Sequence, residues 1–327
     1  MSHPALARAT SGPLSSRLLS TPVVISAVTI VAIGLAGCGS DDEPPPPPPS
    51  GCATDSTAGS SSAALLPVPP AKVTVETNGA EPRSVPVAGF DRGTAQSAKL
   101  VTTSTFASAT GQQDADSGAT TVDLPMTVRV NCTDATDIDL RIGDAGSPDT
   151  ALDQALEAQN GSRAGMSIGP GVAPISLRIL PTEKADDSAR QAVEEALVAT
   201  LQRSVTLPTE PIGVGARWQA VRTVNAGATV RQTITATLTA HEGERLTIDY
   251  SIDESPTDSA FRLPDGGVLT IDAYSMTGAG SVVIDLARGV PISGQLKISG
   301  GRTLVGAEGA QPFSQLLGFD SAWSPAN

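Results

Sequence analysis

Nucleophilic catalysis by a serine or cysteine commonly depends on a histidine base, and histidine is scarce in this chain. There are two histidines, His3 and His241. His3 precedes an apolar N-terminal stretch, and His241 falls in a predicted hairpin turn, which favours an exposed turn residue. The chain is therefore expected not to be an enzyme.

Metal sites need clustered ligands, and zinc would require groups of cysteine and histidine that the sequence lacks. Calcium requires oxygen ligands, and five aspartates lie near one another: Asp134, Asp137, Asp139, Asp144 and Asp149. Their spacing lacks the central glycine and terminal glutamate of an EF-hand loop. The favoured interpretation is the polar side of a strand that buries Ile138, Leu140 and Ile142. No metal is expected.

Glycine-rich loops can cradle a dinucleotide when they open a helix. Gly213 and Gly215 instead precede a predicted strand that starts near Trp218, so turn glycines are the natural interpretation. No cofactor is expected.

The first residues have the features of a secretory signal, a basic start followed by a short apolar run. Arg8 and Arg17 are the only charged residues before the apolar stretch Val23–Ala36, which ends in Leu35-Ala36-Gly37-Cys38. This ending resembles the lipobox of bacterial lipoproteins. The resemblance implies cleavage after residue 37, lipid on Cys38, and a chain anchored by acyl groups on the outer side of the cell membrane.

The remaining cysteines, Cys52 and Cys132, form an even pair. In an oxidising compartment such a pair favours a disulfide, which would fasten the linker to the folded domain. Two free thiols are the alternative.

The chain is acidic, with a formal net charge of −13. Removal of residues 1–37 removes two arginines and changes this to −15. Nucleic acids and anionic membrane surfaces both favour basic proteins, so neither is expected to be a direct partner of the domain.

The composition divides the chain into a signal (1–37), a linker (38–70) and a β-rich domain (71–327). Within the linker, Pro44–Pro49 should form a stiff polyproline II rod that spaces the domain from the membrane. The best candidate for a boundary inside the domain lies near residues 207–211, where two prolines interrupt the pattern.

Alternation of apolar and polar residues predicts several strands. It is clear at 122–132 and in a hairpin formed by 229–240 and 245–252. An earlier strand is expected at about 99–107, before a polar loop at 111–118. Further strands are predicted at about 216–224, 267–275, 281–287, 292–299 and 302–305, with turns at Gly278–Gly280 and Arg288–Pro291.

Two amphipathic helices are predicted from apolar residues at three-to-four spacing. One begins at Asp186 or Ser188 and runs to about Arg203. The other spans about Asp149–Ala158. Together these patterns predict an α+β, mainly β fold, a curved antiparallel meander sheet with both helices packed on one face.

The segment from Leu207 to Trp218 contains Pro-x-x-x-x-Gly-x-Gly-x-x-Trp ahead of a predicted meander. It is similar to a segment of uncharacterised lipoproteins from high-GC Gram-positive bacteria. The resemblance covers about residues 70–325 and implies no established activity or catalytic residues.

The layout of lipobox, linker, meander and helices is also similar to that of envelope lipoproteins that carry lipids or glycolipids. That similarity implies a non-catalytic domain that binds a lipid or another apolar envelope molecule. The alternative is an envelope scaffold or accessory protein that binds another protein.

Overall fold

The computed structural model describes residues 51–61, 63–110, 116–225, 228–263, 266–306 and 311–326. These described residues form one compact unit that contains its own hydrophobic core. The candidate boundary near 207–211 lies inside this unit. Neither α-helix in the described part of the chain is long and apolar enough to cross a bilayer.

The fold is mainly β, with one large antiparallel sheet and two α-helices, which confirms the predicted class. The strands are β1 (Leu66–Pro67), β2 (Lys72–Thr77), β3 (Gln96–Thr110), β4 (Asp116–Val130), β5 (Asp137–Ile142), β6 (Arg163–Gly169), β7 (Ala173–Leu180), β8 (Arg217–Asn225), β9 (Thr229–Glu242), β10 (Arg245–Pro256), β11 (Ala260–Arg262), β12 (Val268–Asp285), β13 (Ser293–Val305) and β14 (Phe313–Ser324). The helices are α1 (Thr150–Leu156) and α2 (Asp187–Gln202).

The strand order is β1-β7-β6-β5-β4-β3-β14-β13-β12-β10-β9-β8-β2, with β11 paired to β12. We call β1 and β3–β7 the N-terminal half-sheet, and β2 and β8–β14 the C-terminal half-sheet. They join where β3 pairs with β14, for example Leu100 opposite Trp323. The chain passes from β7, near one edge, through α2 to β8, near the other edge.

Burial alternates along the strands, so the sheet has one apolar face, called here the inner face. On β4 every second residue from Val122 to Val130 is buried. The predicted hairpin of β9 and β10 is confirmed, with Ile252 opposite Ile234 and Ile248 opposite Leu238.

Helix α2 has the predicted limits because Asp186 caps it, accepting a hydrogen bond from the Ala189 backbone N–H at 2.8 Å. Its buried side chains belong to the same core cluster as the inner-face residues of β4 and β5. Helix α1 begins after Asp149, whose side chain accepts from Leu152 N, and ends in a 3₁₀ turn over Glu157–Gln159.

The predicted turn at Gly278–Gly280 is wrong, because these residues lie inside the long strand β12. The predicted break between 292–299 and 302–305 is also wrong, since β13 runs through Gly300. A Cβ on Gly278 would lie 2.2 Å from Lys297 O, and one on Gly300 would lie 1.8 Å from Ser275 O. Glycine here allows close approach of neighbouring strands and does not mark a turn.

The strands extend beyond their predicted limits at other positions. β3 reaches Thr110 and β4 starts at Asp116, so the loop is shorter than predicted, and residues 111–115 lie outside the described residues. Six strands have no counterpart in the sequence pattern: β1, β2, β6, β7, β11 and β14. Residues 51–61 and 63–70, assigned to the linker from composition, pack on the sheet and include β1 and the buried Val68.

Candidate functional site

A cavity lies against the inner face at the C-terminal end of α2. Its volume is about 70 Å³. Its apolar lining comes from β6 and the turn after it, from α2 and the segment that follows, and from the C-terminal half-sheet. These residues are Met166, Ile168, Val172, Leu201, Val205, Val282, Ile284, Val290, Leu296 and Trp323. Aliphatic side chains dominate this surface, so it is suited to a hydrocarbon ligand.

Tyr250 forms part of the cavity wall because it faces a glycine on the next strand. It is paired with Gly280, and a Cβ on that glycine would lie 2.9 Å from the tyrosine Oη. Burial raises the pKa of Tyr250 to about 12. The phenol therefore stays protonated at neutral pH and can act as a neutral hydrogen-bond donor.

Arg203 stands at the edge of the cavity as the C-cap of α2. Its Nη2 lies 3.4 Å from Oε1 of Glu254 on β10, and its guanidinium carbon lies 5.0 Å from the centroid of the Phe319 ring. Nη1 donates to the Ala199 carbonyl at 3.2 Å, which satisfies one of the last carbonyls of the helix. These contacts attach the end of α2 to the sheet.

Glu254 is almost fully buried and has further partners. Gln232 Nε2 donates to its Oε1 at 2.9 Å, and the Tyr274 hydroxyl donates to Oε2 at 3.4 Å. Burial, followed by the negative charge of Glu254, raises the pKa of Tyr274 to about 12.

Arg222 completes this group from β8, where it donates to Ser204 O at 2.9 Å and to Thr206 Oγ1 at 3.2 Å. Burial lowers the pKa of Arg222 to about 10, so it remains charged at neutral pH. We call Arg203, Arg222, Gln232, Glu254 and Tyr274 the polar cluster. Within the described residues, Nε of Arg203, Nε of Arg222 and Oε1 of Gln232 lack hydrogen-bond partners.

The two cysteines proposed as a pair, Cys52 and Cys132, form a disulfide in the structure. The segment around Cys52 also pairs with the sheet, because Ala53 N donates to Val130 O and Cys132 N donates to Ala53 O. Cys38 lies outside the described residues.

The aspartates considered for calcium have separate structural roles. Asp134 accepts from Thr136, Asp139 from Thr57 and Arg163, and Asp144 from Asn160, while Asp149 caps α1; their partners are protein groups. Asp137 is buried, and desolvation is the main cause that raises its pKa. In the described part of the chain, no three His, Cys, Asp or Glu side chains are grouped as a metal site would require.

His241 does not lie in the hairpin turn as expected: it is in the last part of β9, two residues before the turn begins at Gly243, and opposite Leu246. The turn itself contains Gly243, which has φ 61°. His241 is absent from the cavity lining.

A Gly-x-Ser-x-Gly sequence occurs at Gly165–Gly169. In α/β-hydrolases this pattern forms a strand-to-helix turn that exposes the nucleophile. Here it lies inside the antiparallel strand β6, with Ser167 opposite Asp137 and Ser176. The local structure therefore does not match a nucleophile elbow.

Gly213 and Gly215 belong to a tightly packed crossing of two loops. A Cβ on Gly213 would lie 1.9 Å from Ala80 O, and Gly215 has φ 85°. Trp218 follows as a fully buried residue whose Nε1 donates to Thr206 O at 2.9 Å. These residues position the segment that connects α2 to β8.

Sequence reasoning did not single out the polar cluster. Arg203 is predicted only as the approximate end of a helix, and Glu254 lies beyond the predicted end of its strand. Gln232 on β9 and Glu254 on β10 are buried on the inner face, at positions where the alternating pattern of each strand predicts apolar residues. A polar residue at a core position was the available signal.

Comparison with known proteins gives limited similarity. No family model and no curated protein matches the chain. Among solved structures, lipovitellin, described under "lipid-protein interactions in lipovitellin", aligns with a TM-score of 0.42 and 10% identity over 73% of this chain. The alignment spans 25% of the lipovitellin chain. The binding domain of botulinum neurotoxin serotype D/C aligns over 79% of this chain and 94% of its own, with a TM-score of 0.12 and 8% identity.

Proposed function

We propose that this protein is a non-catalytic lipoprotein of the outer side of the cell membrane, anchored through acyl chains on Cys38, that binds a hydrocarbon chain of an envelope lipid. The observation that carries the binding proposal is the aliphatic cavity between the two half-sheets and the end of α2. We also propose that the chain is related to the uncharacterised lipoproteins from high-GC Gram-positive bacteria, which have a similar glycine and tryptophan segment.

A curved sheet is part of this proposal. Met166 lies on the third strand in the sheet order and Tyr250 on the tenth, yet both line the cavity. Seven strand spacings would separate them by about 34 Å in a flat sheet. A sheet that curls around α2 brings both residues to one cavity.

The central glycines supply a reason for such curvature. Gly278, Gly280 and Gly300 alternate with the outward-facing residues of β12 and β13, and an added Cβ at each would collide with a neighbouring strand. Glycines on the concave side of a sheet relieve this crowding and permit sharp bending. They lie close to the junction of the half-sheets, where a bend brings the two edges toward each other.

The size of the cavity sets a condition on ligand entry. At about 70 Å³ it is smaller than the roughly 150 Å³ apolar cavity that accommodates benzene in an engineered protein. A longer hydrocarbon chain therefore requires movement of a wall. The candidate for this moving wall is the end of α2. Arg203 and Ser204 border the cavity there, and polar contacts hold them to the sheet.

The titratable groups in and near the cavity support the proposal that the protein is not an enzyme. Tyr250 and Tyr274 have pKa values raised to about 12, so neither phenol acts as a base at neutral pH. Glu254 is engaged by Arg203, Gln232 and Tyr274. Such a cluster can hold the helix end and can orient a polar headgroup at the cavity edge.

Native mass spectrometry tests the proposal. Residues 39–327 contain the whole compact unit and omit the proposed anchor. The protein is purified from secreting cells and exposed to total envelope lipid. We expect a discrete added mass that is released as lipid on denaturation. A bare protein mass would overturn the lipid proposal and would favour a protein partner.

A further inference from the structure

A second cleft, of about 310 Å³, lies on the opposite, outer face of the N-terminal half-sheet beside the disulfide. Its lining comes from the segment after Gly51 and from strands β4, β5 and β6. The residues are Cys52, Ala53, Thr54, Asp55, Arg129, Asp139, Arg141 and Arg163. Three of the eight are arginines, although the chain as a whole is acidic.

The strand register places these charges together. Arg129 on β4 is opposite Asp139 on β5, and Arg141 on β5 is opposite Arg163 on β6. Directly opposite residues share a face, so all four project away from the apolar inner face. Two like charges directly opposite one another destabilise a sheet, and an anion between Arg141 and Arg163 would remove that repulsion.

The existing partners leave two guanidinium groups available. Arg163 is paired with Asp139, its Nη2 lying 2.6 Å from Oδ1, and Thr57 also donates to this carboxylate at 2.6 Å. Within the described residues, the side chains of Arg129 and Arg141 have neither an ion pair nor a hydrogen bond. Nε of Arg129 is sealed from solvent without an acceptor. A buried N–H without a partner is unfavourable, and a bound oxyanion would satisfy it.

We propose that this arginine cleft binds a phosphate group. Guanidinium groups match phosphate oxygens through paired, charge-assisted hydrogen bonds, and three of them converge here. Asp55 also lines the cleft as an exposed carboxylate, and its negative charge opposes the binding of an anion.

Phosphate at this position has two sources, the headgroup of an anionic phospholipid or a soluble phosphate compound. The cleft includes Cys52, and the linker back to Cys38 would be about 43 Å long in polyproline II geometry. The headgroup source therefore rests on the proposed anchoring, whereas phosphate binding itself does not. Lipid binding in the inner-face cavity can fail without affecting this proposal.

The test uses residues 39–327 and two probes at one ionic strength. Inorganic phosphate is titrated while the Nε–H resonances of the arginines are followed by NMR. Vesicles of phosphatidylglycerol, compared with vesicles of phosphatidylcholine, are used in co-sedimentation. The variant is R129Q/R141Q. The matched control is R231Q/R262Q, which removes the same charge from exposed residues elsewhere on the sheet.

We expect phosphate to shift the Arg129 resonance in the wild type and in the control, and to bind R129Q/R141Q at least about tenfold more weakly. Asp55→Asn removes a negative charge from the cleft and leaves its three arginines in place, so it should tighten phosphate binding. If phosphatidylglycerol binding falls in parallel, a lipid headgroup is the ligand. If phosphatidylglycerol binding is the same in R129Q/R141Q and in the control, the ligand is a soluble phosphate compound. Equal phosphate titrations for wild type, R129Q/R141Q and Asp55→Asn would overturn the proposal.

Discussion

Arg203 at the end of α2 and Glu254 on β10 form an ion pair, with Nη2 and Oε1 3.4 Å apart, at the edge of the aliphatic cavity. The carboxylate is almost completely buried and the guanidinium largely so. This contact joins the helix that connects the two edges of the sheet to a strand of the C-terminal half-sheet. It is therefore one of the contacts that hold the cavity wall at the end of α2.

The first prediction concerns this ion pair. Arg203→Met leaves the buried Glu254 charge without its cationic partner and should lower the free energy of unfolding by about 3 kcal/mol. The double variant R203M/E254Q removes both charges and should recover to within about 1 kcal/mol of the wild type. Urea denaturation measures both. Equal instability of single and double variants would show that the pair is not a coupled unit.

The second prediction concerns the proposed bend in the sheet. Gly280→Ala places a Cβ 2.3 Å from Gln295 O and 2.9 Å from the Tyr250 ring, so the strands must move apart. We expect a loss of about 1–3 kcal/mol in thermal denaturation. Gly89→Ala is the control, because nothing lies within 4 Å of its added Cβ. If the two variants are equally stable, the central strands are less crowded than the structure indicates.

The third prediction uses pH. Burial raises the pKa of Asp137 above its ordinary 3.8, so the folded protein holds this proton more tightly than the unfolded chain. Stability should therefore fall as pH rises from 3.8 through the folded-state pKa. Asp137→Asn removes the buried charge and should raise the melting temperature at pH 7, with the gain vanishing below pH 3.8. Asp116→Asn, at an exposed position, is the control. A gain that is the same at both pH values would contradict the assignment to Asp137.

The strongest sequence patterns correspond to the parts of the fold that were predicted well. The alternation in β4 and in the β9–β10 hairpin, and the stripe and cap of α2, are local signals. Glycines misled the prediction at β12 and β13, because a glycine needed for close strand approach looks the same as a turn glycine. The distinction depends on the neighbouring strand, which lies far away in the sequence.

The candidate cavity could not be predicted for the same reason. Its wall combines residues from β6, such as Met166, with residues from β12, such as Val282, and the sequence does not give their proximity. Arg203 and Glu254 are separated by 51 positions in the sequence. They meet only because the end of α2 packs against β10. The arginine cleft depends on strand register, which places Arg141 opposite Arg163.

The fourth prediction addresses the anchor. Cells that express the full chain should incorporate an alkyne-labelled fatty acid into it, and the protein should sediment with membranes. Cys38→Ala should lose the label, because the acceptor sulfur is gone. C52A/C132A, which removes the other two cysteines, should keep it. Label retained in Cys38→Ala would contradict the proposed site of lipidation.

The central claim is that the inner-face cavity binds a hydrocarbon chain, and a titration with a fluorescent polyene fatty acid tests it most directly. Val282 lines the cavity, whereas Val283 is the next residue on the same strand and faces the other side. We predict that Val282→Phe fills the cavity and weakens binding at least about tenfold, while Val283→Phe binds as the wild type does. Equal affinity in all three proteins would contradict the account.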